Sequence, residues 1–375
     1  MAGVRVVHLD PADRREVRRW VALPHRIYAG DPCWTPPLRR DEARAAGGLG
    51  PTGVETARLL AYRGRRPVAR LAVSADPDEP SAGLLSGFES EDDLEAPGAL
   101  LDTAGRWAAA RGRSTLVGPR GRLLFGMATG LQVEGFGVPA PAGTPHHRPY
   151  YRHLWEEAGM GAAGDLVSLS TTREAFRMPE GTDRWEQAAA AAGYTVPAPG
   201  GIADLESRAE EIVRLTNAAM AGLPNWLPLA EADTGTLVER MRPLVTRPDL
   251  FRLLLHEGRL VGYAAAWPEI GAALRRSGGR LAPLGWWWLL RERRRTDAVT
   301  FLVICIEPSH QGAGAGLTLG MALARALVDD PRIERVTFPL GDVDNDRSLN
   351  LVAGISGARV DARFRVYRRE TEGGK

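Results

Sequence analysis

The sequence contains a single lysine, Lys375, so 47 of its 48 basic residues are arginine. Set against 46 acidic residues they leave a formal charge of only +2, too balanced for a surface built to hold nucleic acid, and no nucleic-acid partner is expected. Cys33 and Cys305 are the only cysteines, too few for a disulfide framework, and Cys305 falls within an apolar, β-branched run. A reducing, cytoplasmic setting is the expectation. The opening MAGVRVVHLD has no apolar stretch of the kind a secretion signal needs. No run approaches the ~20 apolar residues of a membrane-crossing helix; the longest candidate, 281–290, is short and holds Pro283 and Gly285. His146, His147 and His153 lack the acids and spacing of a metal site, so no metal is expected.

What remains is a chain of 375 residues, 44% hydrophobic and 25% charged, with room for one large or two ordinary globular domains. Period-2 runs flanking Arg63-Gly64-Arg65-Arg66 and His256-Glu257-Gly258 predict two β-hairpins. Other strands are predicted at 4–9, 84–88, 114–117, 165–170, 301–306, 336–340 and 362–368. Helical spacing predicts helices at 11–20, 100–111, 150–158, 205–221, 234–242, 316–328 and 347–355. Residues 24–42, rich in proline and aromatics, have no clear period and read as an irregular segment pinned by Trp34. The same order of elements occurs twice, which predicts two α/β lobes, 1–177 and 178–375, joined in a Pro/Gly-rich stretch.

The most informative stretch is 301–328. An apolar strand is stopped by Pro308, followed by Gln311-Gly312-Ala313-Gly314-Ala315-Gly316 and an Ala/Leu-rich helix. The first turn of a helix carries unpaired N–H groups and the positive end of the dipole, and small residues let an anion approach them. A phosphate or diphosphate site follows from this chemistry. The loop has no lysine, which excludes a P-loop, and Pro308-Ser309-His310-Gln311 separate strand from glycine, which disfavours a dinucleotide fingerprint.

Gln-x-x-Gly-x-Gly after a strand and a proline resembles the acyl-CoA loop of the GNAT acetyltransferase superfamily. At the expected distance follows DNDRSLNLVAGISGARVDARFRVYRR, similar to that superfamily's Asn-x-x-Ser/Ala helix and closing strand. These motifs cover 299–369. The first lobe, with IYAGDPCWTPPL, GFESEDD, GLQVEGF and the PYY helix, resembles the N-terminal part of two-lobed GNAT proteins but lacks the glycine loop, and is not expected to bind CoA. The resemblance implies two GNAT-like lobes, each a mixed, mostly antiparallel sheet flanked by helices. It implies acetyl-CoA or another acyl-CoA as co-substrate and a small-molecule amine as acceptor; a homodimer is one arrangement it allows.

The resemblance further implies that Ile304, Cys305 and Ile306 line the pantetheine through the backbone of a strand that splays at a bulge. Gln311, Gly312, Ala313, Gly314, Ala315 and Gly316 would receive the diphosphate. Asn345 would bond the pantetheine or product, with Ser348 one turn later. Where many members carry a tyrosine acid, seven residues after the Asn, this chain has Val352; Ser348, water or Tyr367 would substitute. Glu269, Asp342 or Asp344 is a candidate base. Cys305 reads as a core residue rather than a nucleophile, and His310 as solvent-facing.

The function expected is direct acyl transfer from the thioester to an amine. A CoA-binding sensor or scaffold, and transfer involving a carrier-protein pantetheine, are the alternatives. Residues 271–295 carry seven arginines against Glu292, with Trp286-Trp287-Trp288. They read first as a helix packed on the first lobe, second as a lid, and third as a membrane-surface helix, so a membrane partner is not the expectation.

Overall fold

The hairpin expected at Gly64 joins the second and third strands of the chain. The computed structural model describes residues 3–121, 129–175, 182–223, 225–242, 247–311, 314–343 and 357–371. Its strands are β1 (Val4–His8), β2 (Glu55–Arg63), β3 (Arg66–Ala75), β4 (Ala82–Ser90), β5 (Thr115–Gly118), β6 (Leu131–Glu134), β7 (Gly161–Thr172), β8 (Tyr194–Thr195), β9 (Phe251–His256), β10 (Arg259–Pro268), β11 (Ala298–Ile306), β12 (Arg335–Asp342) and β13 (Arg359–Glu370). Its α-helices are α1 (Arg14–Ile27), α2 (Arg39–Ala46), α3 (Glu95–Ala109), α4 (Tyr151–Glu157), α5 (Thr182–Ala191), α6 (Ile202–Ser207), α7 (Ala209–Met220), α8 (Thr234–Met241), α9 (Gly271–Ser277), α10 (Gly285–Arg295) and α11 (Ala315–Asp329). The strands and helices make a mixed α/β fold, as expected.

One unit gathers Met1–Val167, Gly271–Leu290 and Ala362–Lys375. Its strands run in the order β1-β2-β3-β4-β5-β13, with β6 also on β13. Pairing is antiparallel except between β4 and β5, which run parallel over three rungs from Ala82–Thr115 to Leu84–Val117. Strand β13 brings distant sequence alongside β5, with Tyr367 opposite Gly118. Helices α3 and α4 cover one face, burying Leu100, Leu101, Leu154 and Trp155 against Leu59, Leu71 and Leu85. Each of these side chains is worth roughly 2 kcal/mol by removal from water.

Helix α1 differs from the predicted 11–20. It starts where Asp13 Oδ1 accepts the N–H of Arg15 at 2.7 Å and runs on through Pro24 to Ile27. Of the segment predicted irregular only 28–38 is so, with its end taken by α2, and there Tyr28 stacks on Trp34 with centroids 4.8 Å apart. Residues 271–280 bind to this segment. Arg39 donates its N–H to Gly279 O and its Nε to Gly278 O, both at 2.9 Å, and Arg275 donates to Thr35 Oγ1 at 2.6 Å. Gly279 has φ +69°, and any Cβ there would run into the Pro37 carbonyl.

The same unit encloses a charged cluster. Glu89 accepts a hydrogen bond from Tyr151 Oη at 2.9 Å and stands 3.9 Å from Arg70, which is in turn bonded to Glu42. Burial pushes the Glu89 carboxyl up to about 7 against the pull of Arg70.

The other unit comprises Ser168–Ile270 and Arg291–Asp361, with the strand order β12-β11-β10-β9-β8. Alternate residues of β10 face opposite sides of this sheet. Ala264 and Ala266 pack under α11 with Leu319, Leu323 and Leu327. Tyr263 faces the other way, where its hydroxyl lies 2.7 Å from Thr216 Oγ1 of α7. The single helix predicted at 205–221 is two, broken at Arg208, whose φ/ψ of −101°/8° is not helical. The predicted helix 347–355 lies outside the described residues.

Candidate active site

Strand β11 is flanked by two partners that treat it differently. With β10 it pairs antiparallel along almost its whole length, from Pro268–Val299 to Gly262–Ile306. With β12 it pairs parallel over three rungs only, Ala298–Arg335 to Thr300–Thr337. Beyond Thr300 the two parallel strands part. The sequence supplies two reasons. Pro339 sits in β12 two residues past the last rung, and proline has no N–H to give to a ladder. On the other flank a bulge interrupts the register between Ala265–Val303 and Ala266–Phe301, so that Leu302 is the extra residue and β11 bends there. Phe301 and Phe338, with ring centroids 5.2 Å apart, stand at the point of parting. From there to Ile306, β11 presents a strand edge that β12 does not pair.

The chain leaves this edge through a turn at Pro308–His310 and enters α11 at Gly314. Gly314 has φ +78° and caps the helix with no side-chain hydrogen bond; its carbonyl accepts the N–H of Thr318 at 3.0 Å. Glycine has no side chain to accept from the first-turn N–H groups, so these donors have no side-chain cap. A Cβ built on Gly316 would lie 3.0 Å from Ile306 Cδ1, and one on Gly320 3.8 Å from Ile304 Cδ1. Gly316 therefore also serves close helix–strand packing, a use distinct from anion approach. The stripe Ala315, Leu319, Leu323 and Leu327 holds α11 on the sheet.

The first unit contains the corresponding strand–helix junction with the opposite chemistry. Asp93 accepts the N–H groups of Glu95 and Ala96, at 3.0 and 3.1 Å, at the start of α3. The same carboxylate is clamped by Arg63 at 2.6 and 2.9 Å. The Arg63 hydrogen bond, with the backbone donors, holds the Asp93 carboxyl below its usual range. A carboxylate of the protein's own thus occupies the donors that an incoming phosphate would use.

Ile304 and Ile306 lie half-buried on the length of β11 that β12 does not pair, packed against α11. Cys305 between them is fully buried, and burial pushes its thiol up to about 12. Gln311 has its backbone N–H bonded to Pro308 O at 3.2 Å and its side-chain amide to Ile306 O at 3.0 Å. It therefore shapes the turn, and its backbone donor is already engaged. Gly312 and Ala313 lie outside the described residues, as do Asn345, Ser348, Val352 and Asp344. Glu269 follows β10; its N–H bonds to Ala298 O at 2.9 Å, and its Oε2 accepts from Thr300 Oγ1 at 2.7 Å. Thr300 is the residue of the last shared rung, which sets this carboxylate beside the fork.

Tyr367 belongs to the first unit's core. It is fully buried, 5.6 Å from the Trp155 ring, with its hydroxyl 3.4 Å from Glu156 Oε1. Burial, and then the Glu156 charge, push its hydroxyl up to about 12. His310 is not simply solvent-facing. Its Nδ1 lies 2.8 Å from Tyr194 Oη, and its ring is 5.0 Å from that of His256. Among the described residues no cluster of His, Cys, Asp or Glu could hold a metal, and no helix is long and apolar enough to cross a membrane.

Comparisons with known proteins fit this geometry. No family model matches the chain. It is 29% identical over 290 residues to the bacterial ceramide synthase of Caulobacter vibrioides, covering 73% of each chain. It is 24% identical over 375 residues to protein YghO of Escherichia coli, covering 96% of this chain and 94% of that one. Among solved structures, a tandem GNAT protein from the clavulanic acid biosynthesis pathway superposes with a TM-score of 0.56 at 15% identity, covering 99% of this chain and all of the other. With its parted parallel strands and glycine-capped helix, the chain has the tandem fold of the GNAT superfamily.

Proposed function

We propose that the chain is an acyl-CoA-dependent N-acyltransferase whose co-substrate site is the fork of β11 and β12 and the uncapped start of α11. The single observation that carries this reading is the parting of two parallel strands directly ahead of a helix entered through Gly314. Backbone groups along 303–306 would pair with the two amides of the pantetheine arm as a third strand would. Donors of the first turn of α11 would take the diphosphate. In the other unit, Asp93 at the start of α3 supports a non-binding role for that lobe.

The chemistry needs no covalent intermediate on the protein. Cys305 is buried and its thiol is held protonated, which argues against it as nucleophile. An amine held against the thioester carbonyl attacks directly, forming the C–N bond. Glu269, directly or through one water, takes the proton that the nitrogen loses. The C–S bond breaks and CoA leaves as a thiolate, which takes a proton from solvent; with a thiol pKa near 8.5 this step needs little acid assistance. Products are an amide and free CoA. The name of the Caulobacter relative, a ceramide synthase, supports an amphiphilic amino alcohol as the acceptor class.

The test is release of free thiol from acetyl-CoA and longer acyl-CoA species with a panel of amines that includes a long-chain amino alcohol, run beside calorimetry for CoA. Acceptor-dependent thiol release supports the transferase. Binding without any release favours a sensor, and no binding of CoA removes the site.

A further inference from the structure

Nine large apolar side chains lie open to solvent among the described residues. Four of them fall within seven consecutive positions: Leu284 (60% exposed), Trp286 (52%), Trp287 (41%) and Leu290 (45%). Trp287 and Leu290 are on α10 with Trp286, and Leu284 immediately precedes it. At about 100° per residue, Trp286, Leu290, Arg294 and Trp287 fall within about 100° of one another, with Arg295, also exposed, at the edge of that arc about 80° beyond Trp287. The face is therefore segregated along its length, indole and leucine at the N-terminal end and guanidinium at the other.

This exposed side is held in place by its inner one. Trp288 is turned under Arg276, whose guanidinium sits 4.3 Å from the ring. Gly285 is buried where a Cβ would strike the Arg280 carbonyl. The Trp286 indole N–H bonds back to Pro283 O at 3.1 Å, leaving its ring outward. The basic end holds four arginines and one glutamate between 291 and 295, and Arg294 and Arg295 are exposed. Burial, together with the neighbouring Arg294 charge, holds the Arg293 guanidinium below its ordinary value.

We infer that the exposed side of α10 docks this protein on an anionic lipid bilayer. Indole rings combine an apolar body with a polar N–H and favour the boundary between headgroups and acyl chains. Arginine matches phosphate with two donors and is attracted by the negative surface potential of acidic lipids. The arrangement needs no membrane-crossing run, only a face of this composition lying in the interface. A protein partner would more commonly be met by an apolar centre ringed with polar groups, whereas here the apolar and basic parts lie end to end. Exposure thus raises the membrane-surface role above the lid for the outer side of 284–295, while Trp288 lies against Arg276. The inference is independent of the acyl-CoA site.

The experiment is co-sedimentation of the full chain with vesicles of phosphatidylcholine alone or mixed with phosphatidylglycerol, at low and at physiological salt. The expected result is recovery with the acidic vesicles, weakened by salt, and recovery in the supernatant with phosphatidylcholine alone. Trp286→Ala/Trp287→Ala should lower the partition coefficient about tenfold. Arg294→Gln/Arg295→Gln should lower it about 25-fold, at roughly fivefold per arginine. Thermal melts should show both variants cooperatively folded, the arginine variant matching the wild type because Arg294 and Arg295 are exposed. Equal recovery in the supernatant with both vesicle types overturns the proposal. So does unchanged binding by both variants, or a sedimentation-velocity shift showing that the same substitutions break a protein–protein contact instead.

Discussion

Placing a carboxylate at the start of α11 would give that helix the chemistry that α3 already has. Gly314→Asp is the direct substitution. A Cβ on Gly314 meets nothing within 4 Å, so no clash arises, and the cost is that of a non-glycine residue at φ +78°. Left-handed backbone costs about 1–2 kcal/mol for most residues, with aspartate among the least penalised. Folding should therefore survive. Binding should not: a unit charge about 5 Å from a bound diphosphate charge is unfavourable by about 3 kcal/mol at an effective dielectric of ~20. That is more than a hundredfold in affinity. Calorimetric titration with CoA, beside Gly314→Ala as the control for backbone strain, reads the effect. The alanine variant should lose less than about tenfold, since it carries strain but no charge. A Gly314→Asp protein that binds CoA within threefold of wild type would refute the assignment of the diphosphate to this helix start.

Glu269→Gln should slow acyl transfer at neutral pH by about a hundredfold or more while leaving CoA affinity within twofold, as steady-state kinetics and calorimetry would register. Tyr367→Phe should leave turnover within twofold and cost no more than about 1 kcal/mol of stability, because its hydroxyl makes one long bond to Glu156 in the first unit's core. Glu89 gives a pH signature. With its folded carboxyl near 7 and its unfolded one near the ordinary value of 4.5, the native state keeps a proton that the unfolded state has lost. Stability should fall as pH rises through that window, by at most about 3 kcal/mol. Urea denaturation at pH 5 and pH 8 should show this fall in wild type and a flatter profile in Glu89→Gln.

The local parts of the fold were legible because their signals are local. Gly64 and Gly258, both at positive φ, mark the two hairpins, and the helix after Gly314 follows from its Ala/Leu stripe. Boundaries failed where a neighbour overrides propensity. Pro24 sits inside the last part of α1 instead of ending it, and Arg208 breaks what the apolar period reads as one helix. The pairing of β13 with β5 joins residues some 250 positions apart, a relation that no window of sequence contains. At the site, the glycine loop was legible in the residues themselves, and the splay of β11 was expected only from the family resemblance. Pro339 was its visible signal, since a proline inside a strand marks where a ladder stops. Two attributions were refined by geometry: Gln311 spends its backbone donor on the turn, and Gly316 makes room for Ile306. The role of Asp93 was hidden because an acid before a helix reads as an ordinary cap; only its partners, Glu95, Ala96 and Arg63, reveal a filled anion position.

The most direct test of the account is a crystal structure of the protein with a non-hydrolysable acyl-CoA analogue. The account predicts pantetheine amides paired with the edge of β11 between Val303 and Ile306, and diphosphate oxygens on the backbone donors that begin α11. An analogue bound at the start of α3, or a β11–β12 fork filled by the protein's own side chains, would contradict it.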